Sequence, residues 1–179
     1  QLLKKEKVQE ELLEIYGTET IKSAPIKYDD LQHMHYLDRV IKETIRIFPP
    51  IPLIARQVTE DLKIGEVTLP KGTNIVIPIF KMHRNKKYWP NPLKFDPDRF
   101  LPERTKSQSY YYIPFSDGPR NCIGMKYAMM SMKVILATLV RTFVFKVNKS
   151  VEIDEIKLKF RTILSTEKPL KVKIEKRYF

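Results

Sequence analysis

Phe115-Ser116-Asp117-Gly118-Pro119-Arg120-Asn121-Cys122-Ile123-Gly124 holds the only cysteine of the 179-residue chain and stands directly before a strong helical pattern. A thiol at a helix start, two residues after an arginine and close to two glycines, is arranged to exist as an anion. The helix N-terminus and the guanidinium both favour the thiolate. A thiolate that stays in place is a metal ligand or a nucleophile. One cysteine excludes an internal disulfide framework and any multi-cysteine zinc or iron–sulfur site.

Downstream, Met125, Ala128, Met129, Met132, Ile135, Leu136, Leu139, Val140 and Phe143 recur at i, i+3, i+4 and predict a long helix with one apolar stripe. Lys126, Lys133 and Arg141 interrupt that run and argue against a membrane span. Beyond it, residues 143–147, 158–163 and 170–174 alternate as strands.

Upstream, residues 81–114 carry Pro90, Pro92, Pro97, Pro102 and Pro114, which deny the backbone regular ladders while fixing its path. Before them, residues 53–79 read as strand, with a hairpin about Gly65 and a tight turn at Pro70-Lys71-Gly72. Earlier still, Met34, Leu37, Ile41, Ile45 and Phe48 predict a helix capped by Asp29 or Asp30 and ended by Pro49-Pro50. A charged amphipathic helix over residues 1–16 stops at Gly17, and Ser23-Ala24-Pro25 reads as a loop. No internal repeat or second domain stands out, and the length suits one domain.

The formal net charge is +12, from 33 Lys+Arg against 21 Asp+Glu, but the basic residues are spread along the chain. Solvated lysine explains them better than a nucleic-acid surface, for which neither aromatic interleaving nor a helix-turn-helix pattern is present. A basic module for RNA or membrane remains an alternative, and predicts salt-dependent binding that survives Cys122→Ala. The chain begins at Gln1 with no initiator Met, signal peptide or apolar leader, and reads as a fragment.

Glu43 and Arg46 lie three apart on one helix face, which by itself describes a surface ion pair worth a few tenths of a kcal/mol. A second arginine, Arg99, stands between prolines and aromatics in Phe95-Asp96-Pro97-Asp98-Arg99-Phe100. Glu43 can bridge both, since the arginine fork serves several acceptors at once. Gly118 and Gly124 beside Cys122 let the backbone turn and approach closely, and the methionine-rich stripe is ready to pack under a flat apolar body. Arg120 and Arg56 suit carboxylates. Together these suggest a haem, with sulfur on iron and arginines on the propionates. A buried inert thiol, a cysteine protease using His33, His35 or His83, and a zinc site with those histidines are weaker readings, because no histidine has a characteristic setting.

Residues 115–124 resemble the haem-binding signature of the cytochrome P450 superfamily at every fixed position. Glu43-to-Arg46 resembles its Glu-x-x-Arg motif, and Pro97-Asp98-Arg99-Phe100 its Pro-Glu-Arg-Phe motif with Asp for Glu, in the family's order. The wording of residues 33–50, 82–85 and 120–124 is most like the animal family 4 branch, insects included. The resemblance implies an α+β fold, mainly α with small β-sheets, with helices before and after a proline-rich meander and a haem-ligating cysteine loop. Residues 1–179 would then be the C-terminal haem-binding portion of a single domain.

By the same resemblance Cys122 is the proximal iron ligand, and the cofactor-binding set is Arg56, Phe115, Gly118, Arg120, Cys122 and Gly124. Glu43, Arg46 and Arg99 form a structural triad, Ile51, Pro52, Leu53 and Ile54 line the substrate pocket, and residues 163–166 fall near its last segment. The implied cofactor is haem b, iron protoporphyrin IX, and the thiolate pushes electron density onto iron. The implied reaction puts one atom of O2 into a fatty acid, hydrocarbon or xenobiotic. Electrons would come from an acidic NADPH–cytochrome reductase, with Lys126 and Lys133 as candidate docking charges. The implied location is the cytosolic face of the endoplasmic reticulum, through an anchor not in this chain.

Two features depart from the family pattern. Asp117 stands where a small residue is common in the branch, and is expected to face outward. The oxygen-activating helix, with Ala-Gly before an acid and Thr, has no counterpart, since none of the five glycines follows alanine. The 179 residues alone are therefore expected to be inactive. A haem-binding sensor or a peroxide-using isomerase without monooxygenase activity is the alternative function, which the acid–Thr pair of that upstream helix would separate.

Overall fold

The computed structural model describes residues 2–20, 24–105, 110–147 and 151–177; Gln1 and Ser23, both included in the expectations above, lie outside them. Helix α1 (Leu2–Thr20) continues past the expected stop: Gly17 has φ 71° and ψ 166°, so it breaks the helical path and a further turn follows it. Asp29 and Asp30 do not cap the next long helix. They open a separate 3-10 turn, Asp29–Gln32, in which the Asp30 carboxylate accepts from the Lys27 amide at 2.8 Å and from the Tyr16 hydroxyl at 2.8 Å.

Helix α2 (His35–Ile47) has no side-chain cap of its own. Its free amides are met from another helix: Glu11 of α1 accepts from the amides of Tyr36 at 2.5 Å and Leu37 at 2.9 Å. A carboxylate at a helix N-terminus satisfies orphan donors and complements the helix dipole. This contact also sets the position of α1 against α2.

Strands β1 (Ile54–Gln57) and β4 (Asn74–Ile77) pair antiparallel, Arg56 opposite Ile75. Between them β2 (Leu62–Ile64) and β3 (Val67–Leu69) form the expected hairpin, with Gly65 at φ 58° in its turn. The short helix α3 (Ile79–Met82) leads into the proline-rich stretch, where a 3-10 turn, Pro97–Phe100, is followed by α4 (Pro102–Thr105).

Helix α5 (Met125–Thr142) starts three residues after Cys122, as its periodicity requires. It runs into β5 (Phe143–Lys146), which pairs with β8 (Lys173–Lys176), and β6 (Leu158–Phe160) pairs with β7 (Leu164–Thr166). The last strand therefore starts later than the alternation of residues 170–174 suggests. Its register is set by the partner strand, with Lys173 opposite Lys146 and Glu175 placed to pair with both lysines.

The fold is α+β, helices with, among the described residues, four small antiparallel two-stranded sheets. One core joins α1, α2 and α5: Val8, Leu12, Met34, Leu37, Ile41 and Ala137 are buried together, with Met129, Met132, Leu136 and Val140 against them. Burying such side chains contributes about 1.5–3 kcal/mol each and sets the relative placement of the three helices. That placement brings the end of α2 and the start of α5 to one cleft.

Candidate haem-ligating site

The Glu43–Arg46 pair is not on the surface. Both side chains have no solvent exposure, because the helix face that carries them is covered by the proline-rich stretch. The Arg46 fork meets Glu43 in two places, Nε to Oε2 at 2.6 Å and Nη2 to Oε1 at 2.9 Å. Its remaining donors reach the carbonyls of His83 at 2.6 Å and Pro92 at 2.7 Å, and the guanidinium lies over the Trp89 ring at 5.0 Å. Glu43 Oε1 also accepts from the Asp96 amide at 2.8 Å and stands 3.5 Å from Arg99 Nε. Arg99 is held in turn by the Asn91 carbonyl at 2.9 Å.

The proline-rich stretch is thus tied to α2 through its backbone. Prolines leave carbonyls without a ladder, and two guanidinium groups supply the missing donors. Burial would expel an isolated charge; a buried charge survives here because its partners are held in fixed geometry.

Residues 113–124 lie on the other side of this frame. The Ser116 amide donates to the Ile113 carbonyl at 3.0 Å, and the Cys122 amide donates to the Phe115 carbonyl at 2.8 Å, closing the loop on itself. Ser116 takes φ 64° and Gly118 φ 74°, and a non-glycine in that region persists only when its surroundings fix it. The anchor for Ser116 is Arg56 on β1, whose Nη2 donates to Ser116 Oγ at 2.9 Å and to the Arg120 carbonyl at 3.4 Å. Asp117 is exposed, its carboxylate accepts from the Gly118 amide at 2.8 Å, and it is not among the residues that line the cleft.

Cys122 is a free, exposed thiol on a cleft of about 430 Å3. The apolar lining includes Ile45, Ile51, Ile54, Ile79, Phe115 and Met132, and Arg56 and Arg120 stand at the same cleft. Arg120 is exposed, and its guanidinium has no partner among the described residues. A β-carbon placed on Gly124 would come 3.7 Å from the sulfur, an ordinary contact, so glycine keeps this side of the thiol open without being sterically obligatory.

Of the expected pocket segment, Ile51 and Ile54 line the cleft, whereas Pro52 is buried behind it and Leu53 points to solvent. Simple alternation would put residues 51 and 54 on opposite faces; the chain bends at 50–51 and β1 opens only at Ile54, so the segment is not one extended run. Residues 164–166 reach the same segment from the far end of the chain, the Leu164 amide donating to the Pro50 carbonyl at 2.8 Å, while Ile163 is exposed. Lys133 is removed from the candidate docking charges: it is largely buried, 3.0 Å from Asp38 and 3.0 Å from the Leu31 carbonyl. Lys126 remains exposed. His33 and His35 are exposed and His83 is buried; among the described residues no cluster of three or more His, Cys, Asp and Glu side chains suits a metal ion.

Two residues that motif reading does not single out contribute to this geometry. Ser116 holds Arg56, and His83 lies between Arg46 and the cysteine loop, its ring nitrogens 3.2 Å from the Arg46 carbonyl and 3.1 Å from the Ile113 amide. Serine in a glycine-like turn position gives a faint signal in the sequence; the histidine falls within residues 82–85, but nothing there points to this role.

The chemistry of these donors fits a haem: one soft sulfur ligand, an apolar cleft for the macrocycle and two guanidinium groups for its carboxylates. The family model described as Cytochrome P450 matches residues 4–174. The chain belongs to the cytochrome P450 family. It is similar to Cytochrome P450 4g1 of Drosophila melanogaster, 44% identical over 97% of this chain and 31% of that protein. Cytochrome P450 4V2 of Mus musculus is 41% identical over 96% of this chain and 32% of its own length. Human Cytochrome P450 3A5 is 41% identical over 86% of this chain and 30% of its own length. The resemblance to family 4 agrees with the first two. The chain spans about a third of the length of these P450 relatives.

Proposed function

We propose that residues 1–179 are the haem-ligating, C-terminal portion of a single cytochrome P450 domain, in a protein that acts as a monooxygenase. The cofactor in this reading is haem b, which supplies oxygen activation when bound. Everything else falls to the chain's own residues. Cys122 would provide the sulfur that holds the iron, and the closure of its loop on Phe115 holds that sulfur at the cleft. Arg56 and Arg120 take the propionates. Arg120, with no partner of its own, is free to turn toward a carboxylate, whereas Arg56 reaches it from a position already held by Ser116.

Phe115, Gly118 and Gly124 shape the loop around the ligand, and Ile51 and Ile54 offer apolar surface to a substrate and exclude water from it. Glu43, Arg46 and Arg99 hold the proline-rich stretch against α2 and so keep the floor of the cleft rigid. Membership of the P450 family and likeness to family 4 relatives support a lipophilic substrate, such as a fatty acid, hydrocarbon or xenobiotic. The same membership supports an NADPH–cytochrome reductase as electron donor, with Lys126 offered to its acidic surface. The proposed location is the cytosolic face of the endoplasmic reticulum membrane; among the described residues no helix is long and apolar enough to cross a membrane.

The observation that carries the proposal is the exposed sulfur of Cys122 on an apolar cleft shared with two arginines. The full-length protein, loaded with haem, reduced and exposed to carbon monoxide, is expected to give the spectrum of thiolate ligation. Cys122→Ala is expected to abolish that spectrum. A wild-type spectrum of imidazole ligation, or a colourless protein, would overturn the reading.

A further inference from the structure

We infer that His83 is a positioning residue for the cysteine loop, holding the Ile113 amide at the root of that loop onto the buried Arg46 turn of α2. The inference rests on Cys122 being the haem ligand.

The ring of His83 has no solvent exposure and uses both nitrogens, in opposite roles. Nδ1 stands 3.2 Å from the Arg46 carbonyl, which can only accept, so Nδ1 carries the proton. Nε2 is then a lone pair, and it accepts from the Ile113 amide at 3.1 Å. That single tautomer satisfies every group involved. An imidazolium would turn a second N–H against the Ile113 amide in a site closed to water, close to the Arg46 cation.

Tyr112 stacks on the ring with centroids 5.4 Å apart and planes 24° apart, and its hydroxyl donates to the Lys42 carbonyl of α2 at 3.1 Å. The residue before Ile113 is therefore fixed to the same helix by an independent contact. His83 is also joined to Arg46 through its own carbonyl, which accepts from Nη1 at 2.6 Å.

From Ile113 the path to the sulfur is short. The Ile113 carbonyl accepts from the Ser116 amide, which sets the turn, and the Phe115 carbonyl accepts from the Cys122 amide. A shift at Ile113 moves the turn, and the turn carries the residue on which Cys122 closes. The triad frame and the ligand loop thus meet at one imidazole.

Two variants separate this role from general stability. In His83→Gln the amide reaches the place of Nε2 and can accept from Ile113. In His83→Asn it reaches only the place of Nδ1 and leaves the Ile113 amide without a partner. Both lose one ring contact, so both are expected to melt earlier by similar amounts.

In the full-length, haem-loaded protein, hydrogen exchange of the Ile113 amide is expected to rise about tenfold in His83→Asn, as suits the loss of one buried hydrogen bond. The thiolate-type fraction of the reduced carbonyl spectrum is expected to fall in parallel. In His83→Gln both are expected to stay near wild type. Equal exchange and equal spectra in the two variants, or an Ile113 amide still protected in His83→Asn, would overturn the inference. If wild type itself lacked the thiolate spectrum, the ligation reading would fail, and the exchange comparison would still decide whether His83 holds Ile113.

Discussion

Glu43, Arg46 and His83 are closed to solvent and find their partners in groups brought together from positions 43 to 113, whereas Cys122, Arg120 and Ile123 lie open. The two regions are neighbours in space and are joined through Ile113, yet their energetics are opposite. In the first, the Arg46 cation and the Glu43 carboxylate are desolvated, and their geometry is what keeps that from being ruinous. In the second, an arginine without a partner and a bare thiol stay in water, ready for a ligand. The comparison teaches that the frame meets its own polar groups, while the face around Cys122 keeps a guanidinium and a thiol available, as the proposed haem site requires.

The largest effect that sharpens this contrast is expected from Glu43→Gln. It removes the central charge while keeping its shape, leaving Arg46 buried with an uncompensated charge and Arg99 without its nearest anion. A loss of about 3–5 kcal/mol is expected in urea unfolding of the full-length protein. Arg120→Gln, on the open side, is expected to leave the unfolding midpoint of the haem-free protein unchanged. Similar losses in the two variants would erase the distinction between frame and face.

A smaller effect comes through pH. Burial first, and then the nearby Arg46 cation, lower the pKa of His83 from 6.5 to about 4, against the opposing pull of its backbone hydrogen bonds. In the unfolded chain the imidazole takes up its proton near 6.5; in the folded chain it resists until about 4. Between these values the unfolded state binds more protons, so stability falls as the pH is lowered through that window and the contribution is fully present above it. The gap corresponds to about 3 kcal/mol. Subtracting the stability profile of His83→Gln from that of wild type isolates the term from the carboxylates that titrate nearby. A flat difference between pH 6.5 and 4 would show that the ring is not held neutral.

These two regions were also unequally legible. The order of three motifs and the lone cysteine before a helical stripe single out Cys122 as the candidate ligand and Glu43, Arg46 and Arg99 as a cluster. The burial of Glu43 and Arg46 could not be read, because an i, i+3 ion pair looks the same on a surface as under a meander; the cover comes from Pro92 and Asp96, far along the chain. The start of α2 is hidden from local sequence for a similar reason. Local capping favoured Asp29 or Asp30, but the donors are met by Glu11 from another helix. Nothing local to His83 foreshadows its two backbone partners at positions 46 and 113. Tertiary hydrogen bonds to backbone leave no pattern in side-chain sequence.

Lys126 and Lys133 carry the comparison onto α5 at its smallest scale, since identical side chains seven residues apart fall one on the frame and one on the face. Lys133 and Lys42 both reach Asp38; burial alone would raise the Asp38 pKa, and the two lysines together bring it below its ordinary value. Lys133→Ala is therefore expected to cost about 1–2 kcal/mol in unfolding, through the loss of a partly buried charged hydrogen bond to Asp38 and of the contact with Leu31. It is not expected to change the salt dependence of reduction by the reductase. Lys126→Ala is expected to leave unfolding unchanged and to raise the KM for reductase by a few-fold at low salt, an effect that fades as ionic strength screens the surface. If Lys133→Ala instead weakened the reductase interaction at unchanged stability, its ion pair with Asp38 would have to open on docking, and the frame would reach less far along α5 than the geometry indicates.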